Sequence, residues 1–237
     1  MKKYRNMLNN ILSLARYNMR IVFGGKFVYF VLAAFLFYLV VGIIQALDEN
    51  YIMINDVYGL LILPAILLVF YPSAFGIQND ADQRTLEIIF GIPDYRYKVW
   101  LVRMIMVLII VFAILFPFAA LAHYALVSIP VFKMVYQLMV LVLFTSTLGF
   151  CVSTITKSGN ATAVIMVVFG LVFLILIDSL HDSKWNIFLN PFRNPDDINS
   201  VVWIETIRQN RIIMIISSIV FLLVGLLNLQ QREKFLR

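Results

Sequence analysis

Six stretches of this chain are long and apolar enough to cross a bilayer: Phe27–Leu47, Val57–Ile77, Val99–Val127, Met134–Ile155, Ala161–Leu180 and Ile212–Leu229. A helix takes about 20 apolar residues to span a hydrocarbon core of about 30 Å. Backbone in lipid must satisfy its own hydrogen bonds, so such stretches are read as helices. They predict an all-α integral membrane protein with six transmembrane helices in a single domain, residues 1–237. Only 14% of the residues are charged, against about a quarter in a soluble domain.

The charges say which way the helices run. Of 19 Lys and Arg residues, 14 fall on the segments that share a side with the N-terminus, and 5 (Lys133, Lys184, Arg193, Arg208, Arg211) fall on the other side. The positive-inside rule then places both termini in the cytoplasm of a multi-pass protein, with a bacterial plasma membrane as the expected setting. The net charge of +6 does not point to nucleic acid, because the basic residues sit at the ends of apolar runs rather than on a polar face. Residues 1–26 lack the compact apolar stretch and cleavage site of a signal peptide. Instead Tyr4, Leu8, Ile11, Leu12, Ala15, Met19 and Val22 recur at helical spacing among Arg5, Arg16 and Arg20. This is the pattern of an amphipathic helix lying in the membrane interface; a helix packed on a cytoplasmic partner is the alternative.

Within the spans the polar residues are few. Pro117 makes a kink or break in the long third span plausible on steric grounds. The fourth collects Thr145, Ser146, Thr147, Gly149, Ser153, Thr154 and Thr156, which suits close helix packing, with a polar transport path as the second reading. Gln45 and Gln137 are minor candidates for lining such a path. His123 near one span end reads as a helix-end histidine. Asp178, His181 and Asp182 share one helical face at a spacing that could hold a divalent metal, though a solvated helix end has the same composition. The single Cys151 excludes an internal disulfide or a cysteine metal cluster.

Two loops are long, residues 78–98 and 181–211. The first continues into the third span as QNDADQRTLEIIFGIPDYRYKVWLVR, Gln78 to Arg103. Asp82 is placed to cap a short helix running to about Phe90, with Leu86, Ile89 and Phe90 on its apolar side; Gly91 and Pro93 then stop it. A short helix held between two spans, with apolar and charged faces, can pass force from a soluble partner to the membrane.

This segment resembles the signature of type-2 ABC exporter permeases. There an acidic pair precedes a Gly-Thr-Leu-Glu core, followed by a Pro, an Arg and a basic residue entering the third span. Here the pair is Asp80 and Asp82, the core Thr85-Leu86-Glu87, the proline Pro93, the arginine Arg96 and the basic residue Arg103; Arg84 replaces the usual Gly. The resemblance implies that residues 1–26 are an interfacial elbow helix. It also implies that Asp80, Asp82, Arg84, Thr85, Leu86, Glu87, Phe90, Pro93 and Arg96 form a coupling helix for a separate ATPase. The segment 181–211 would then dip into the outer leaflet as re-entrant short helices, with Trp185, Pro191, Phe192 and Trp203 as its proline and aromatic features and Asp196/Asp197 near the second helix's start. Aromatic residues suit that depth on physical grounds as well.

The chain has no G-x-x-x-x-G-K-[ST] run and so no P-loop for phosphates. The resemblance therefore implies a transport subunit without catalytic, cofactor or metal residues of its own. ATP and Mg would bind a partner ATPase present in two copies, and a second permease chain, the same or related, would complete the pathway. A lipid-like or hydrophobic cargo is the expectation. Within the class, the haem-exporter membrane subunit of cytochrome c maturation shares this style of loop, and Thr147-Leu148-Gly149-Phe150 before a basic turn is similar. A six-span enzyme or metal-handling protein using His123 and the Asp178 cluster is one reading from another class. A non-transporting membrane anchor for a cytoplasmic complex is another.

Overall fold

In the computed structural model, residues 26–47, 51–82, 89, 91, 95–193, 195 and 198–230 are described. They form six α-helices: α1 (Phe27–Leu47), α2 (Ile54–Asp82), α3 (Val102–Ala125), α4 (Val131–Thr156), α5 (Gly159–Ile175) and α6 (Ser200–Asn228). Five of them are long and apolar enough to cross a membrane, and α5 is the shorter one. No strand occurs among the described residues. The chain is thus an α-helical, multi-pass membrane protein. The expected interfacial helix at residues 1–26 lies almost entirely outside the described residues.

The helix α4 is the centre of the bundle. It packs against α2, α3, α5 and α6, and α1 lies outermost against α2. Its Ser and Thr residues serve this packing. Thr145 and Thr147 donate to the carbonyls of Leu141 and Leu143, one turn back, both at 2.9 Å. Ser153 crosses to the Ala74 carbonyl of α2 at 3.1 Å. At Gly149 a Cβ would sit 2.8 Å from Ser73 Oγ, so α2 and α4 meet there too closely for a side chain. Thr145 and Thr147 thus satisfy their hydroxyls within α4, and Ser153 is the one of the three that bridges to another helix.

Several expected boundaries move. Pro117 lies inside α3 without ending it, and the approach to α3 is a π-helical turn, Arg96–Leu101, that the apolar pattern did not announce. Then α4 stops at Thr156, where Lys157 takes a left-handed conformation (φ 59°), and Ser158 caps α5. The fifth helix ends at Ile175 rather than Leu180, because the chain enters successive turns from Leu176 onward, among Asp178, Ser179, Asp182 and Ser183, residue types that favour turns. Its 17 residues reach about 25 Å at 1.5 Å per residue.

Where short re-entrant helices are expected, the described residues between Leu176 and Asn199 form turns and none is helical, while Asp196 and Asp197, expected near the start of the second, lie outside the described residues. Residues 200–211, assigned from sequence to that segment, instead form the first three turns of α6. The cause is local. Asn199 accepts a hydrogen bond from Val201 N–H at 2.9 Å, and asparagine at that position starts a helix. The charged and polar residues between Thr206 and Arg211 hid the helix from a hydropathy reading.

Replacing Gly149 with leucine should therefore lower the unfolding free energy in detergent by about 1–3 kcal/mol, the usual cost of overpacking. Gly170→Ala on α5, where a Cβ meets nothing within 4 Å, should leave the melting temperature unchanged or slightly raised. Thermal unfolding of the two purified variants is the comparison.

Candidate functional site

The loop that carries the sequence motif is anchored at both ends. Residues 83–88, 90 and 92–94 lie outside the described residues, so Arg84, Thr85, Leu86, Glu87, Phe90 and Pro93 have no placement here. Arg96 opens the π-helical turn. Asp82 is the last residue of α2 and is exposed, whereas Asp80, two positions earlier, is fully buried. Asp80 meets Arg103, the basic residue of the motif, from the first turn of α3. Arg103 Nη1 donates to Oδ2 at 2.6 Å and Nη2 to Oδ1 at 3.3 Å. Two parallel N–H···O bonds between a planar guanidinium and a carboxylate are the strongest ion-pair geometry available to side chains. The guanidinium also lies 4.8 Å from the centre of the Trp100 ring, a favourable cation–π distance.

A second anchor sits beside the pair. Tyr95 is buried and donates its hydroxyl to the Leu229 carbonyl just past α6. Ile89, Tyr95 and Trp100 pack with Ile77 of α2, Phe150 of α4 and Leu226 of α6 in one apolar cluster. Around them, Gln78 accepts from Gly159 N–H at 2.5 Å at the start of α5, and Asn228 donates to the Thr154 carbonyl at 2.7 Å. These contacts join α2, α4, α5 and α6 at this end of the bundle.

The opposite end of the bundle is held by a residue the sequence reading missed. Arg211 is 8% exposed, and no carboxylate contacts it among the described residues. Its donors go to neutral acceptors instead: Gln137 Oε1 at 2.8 Å, Asn210 Oδ1 at 3.1 Å, Tyr58 Oη at 3.3 Å and the Leu189 carbonyl at 3.2 Å. That ties α2, α4, α6 and the connection before α6 to one guanidinium. Asn210 adds hydrogen bonds to the Lys184 and Asn186 carbonyls. The available signal was weak: an arginine at the start of an apolar run, and a lone glutamine in another span.

The Asn190–Arg193 run belongs to the same knot. Asn190 donates to the Asn55 carbonyl at 2.8 Å and accepts from Phe192 N–H at 3.0 Å. Phe192 lies against Tyr58, ring centres 5.7 Å apart. Pro191 is half-buried in the turn. Trp203 is buried and donates its indole N–H to the Arg193 carbonyl at 2.7 Å, whereas Trp185 is exposed.

Of the residues of the metal reading, His123, His181 and Asp182 have other partners, while Asp178 is exposed. Ile129 N–H donates to His123 Nδ1 at 3.0 Å, closing the turn after α3. The His181 ring contacts the Arg193 guanidinium, which also reaches Asp182 at 3.3 Å. A cation beside a ring nitrogen opposes metal binding there, and no group of three His, Cys, Asp or Glu residues among those described is placed to hold an ion.

In comparisons with known proteins, no protein-family model, no curated protein and no solved structure matches this chain.

Removing one partner of the Asp80–Arg103 pair, by Asp80→Leu or Arg103→Met, should cost about 3–5 kcal/mol, because the other charge stays buried. Asp80→Leu combined with Arg103→Met should recover most of that loss. Denaturant unfolding of the three variants gives the cycle. At the other end, Arg211→Lys should lose about 1–3 kcal/mol by the same measurement, since an ammonium has too few donors to reach every acceptor left buried.

Proposed function

We propose that this chain is the membrane permease subunit of an ATP-driven exporter of the type-2 ABC kind, coupled to a separate nucleotide-binding subunit. The single observation that carries the reading is the Asp80–Arg103 pair. The two motif positions flanking the loop, 23 residues apart, are clasped across the first and last turns of α3 and α2. A loop so braced would pass a push to the helices rather than absorb it. Supporting this, Ile89 and Tyr95 share an apolar cluster with Phe150 of α4 and Leu226 of α6, and Tyr95 bonds the Leu229 carbonyl.

In this reading α5 is the fifth of six crossings, its 17 residues extended toward the far surface by the turns from Leu176 to Trp185. Residues 83–94 are cytoplasmic, as are both termini, and Thr85-Leu86-Glu87 is the contact for the ATPase. Two ATPase copies, carrying ATP and Mg, close on nucleotide. They bias the spans between inward and outward arrangements, a population shift driven by differential affinity for the two states. A second permease chain completes the path. The apolar outer faces of α1, α5 and α6, with Leu36, Val168 and Ile216 among their exposed residues, would admit a lipid-like or hydrophobic cargo from the side.

The test is co-purification with the candidate ATPase in nanodiscs. Glu87→Lys, and separately Thr85→Ala with Leu86→Ala, should leave the membrane subunit folded while lowering ATP turnover of the complex by at least tenfold, or preventing assembly. Normal assembly and turnover in both variants would refute the coupling assignment.

A further inference from the structure

Two helices flank α4 with an apolar band shorter than a bilayer. Phe169 of α5 and Phe221 of α6 both lie against Phe144 of α4, with ring centres 6.4 and 5.8 Å away. Both helices turn aliphatic side chains outward, Val168, Val172, Ile216 and Val220 being about half exposed. On α5 the band begins after the exposed Lys157 and Asn160 and ends before the exposed Asp178. It can run no further, because the α-helix stops at Ile175 and lipid-exposed backbone outside a helix does not occur in hydrocarbon. On α6 the uncharged stretch is residues 212–227, and hydrogen bonds fix both of its ends. Asn210 donates to the Lys184 and Asn186 carbonyls at 2.9 and 2.8 Å, and Asn228 donates to the Thr154 carbonyl at 2.7 Å. At 1.5 Å per residue the 17 residues of α5 reach about 25 Å and residues 212–227 of α6 about 24 Å. The 21 residues of α1 reach about 32 Å.

We infer that the face formed by α5 and α6 is matched to a hydrocarbon layer of about 25 Å, against about 30 Å for an ordinary bilayer, and gathers lipids with short acyl chains. Tilting cannot make up the difference, since tilt only shortens the reach of a helix across the membrane. It accommodates α1, whereas α5 and α6 must be met by local thinning. The occupant is lipid rather than a second copy of the chain. Apart from Ala161, every exposed residue between the two rims is Val, Ile or Leu, whereas helix–helix interfaces in membranes favour small residues and polar groups that bond across. Trp185, exposed and next to the Lys184 carbonyl that Asn210 holds, stands at the far rim, where aromatic residues favour the interface. The fit to thin lipid holds whether or not the chain transports anything.

Quenching of tryptophan fluorescence by brominated lipid tests this. Of the three tryptophans, Trp100 and Trp203 are buried, so Trp185→Phe leaves a background shielded from lipid. In that background Val168→Trp reports on α5, Ile216→Trp on α6 and Leu36→Trp on α1, all at positions about half exposed. The protein is reconstituted in mixtures of dimyristoleoyl and dioleoyl phosphatidylcholine, with each lipid brominated in turn. Relative to Leu36→Trp, the preference for the short-chain lipid should be about twofold or more greater in Val168→Trp and Ile216→Trp. The same preference at all three positions overturns the proposal. Absence of quenching in Val168→Trp and Ile216→Trp would mean that protein covers the face, and overturns it equally. Should Val168→Trp not fold, Ile216→Trp against Leu36→Trp gives the same decision.

Discussion

Arg103 and Asp80 are two charges that neither lipid nor apolar helix can accept singly. Their bidentate contact makes it possible for α2 and α3 to start and stop where they do. With the pair formed, the chain can leave α2 after Asp82, run through residues 83–94 and re-enter through a π-helical turn at a fixed separation. Without it, either charge would draw its helix end toward solvent. The neighbouring aromatic cluster depends on that separation, because Trp100 and Tyr95 reach Phe150 and the end of α6 only from this re-entry point. A π-helical turn widens the helix and exposes poorer hydrogen bonds, and such turns often mark functional positions.

The two ends of the bundle are held by different chemistry. At the loop end a neutralised pair joins two helices. At the far end, Arg211 stays charged and is solvated by side-chain and backbone oxygens from three helices and a connection. Guanidinium is the cation least penalised by this arrangement, since it is weakly hydrated and its planar donors reach several acceptors at once. Between the ends, α4 contributes small and hydroxylated residues that let backbones approach. Gly149 meets Ser73, and Gly225 of α6 meets the Phe150 ring, at distances a Cβ could not occupy.

The loop motif and the packing of α4 suit a molecule with rigid helices moved from one side. Force applied to residues 83–94 would travel through Asp80, Arg103, Tyr95 and Trp100 to four helices, while the Arg211 knot keeps three of them together at the far end.

From residue types in order, the apolar runs determine that this is a helical membrane protein, because only a backbone closed on itself tolerates lipid. The positions of five of its helices were legible for the same reason. The start of α6 was not, since Thr206, Arg208, Gln209, Asn210 and Arg211 look like a loop until Asn210 and Arg211 find buried acceptors in other elements. The short re-entrant helices expected there do not form among the described residues, which lie in turns up to Asn199 and in α6 from Ser200. In the motif, Asp80 and Arg103 were legible as members but not as partners. Their spacing of 23 residues has no local periodicity, and only the antiparallel return of the chain brings them to 2.6 Å. Local pattern determines which segments are apolar spans. The pairing of buried charges, which depends on where distant segments meet, was decided by tertiary structure alone.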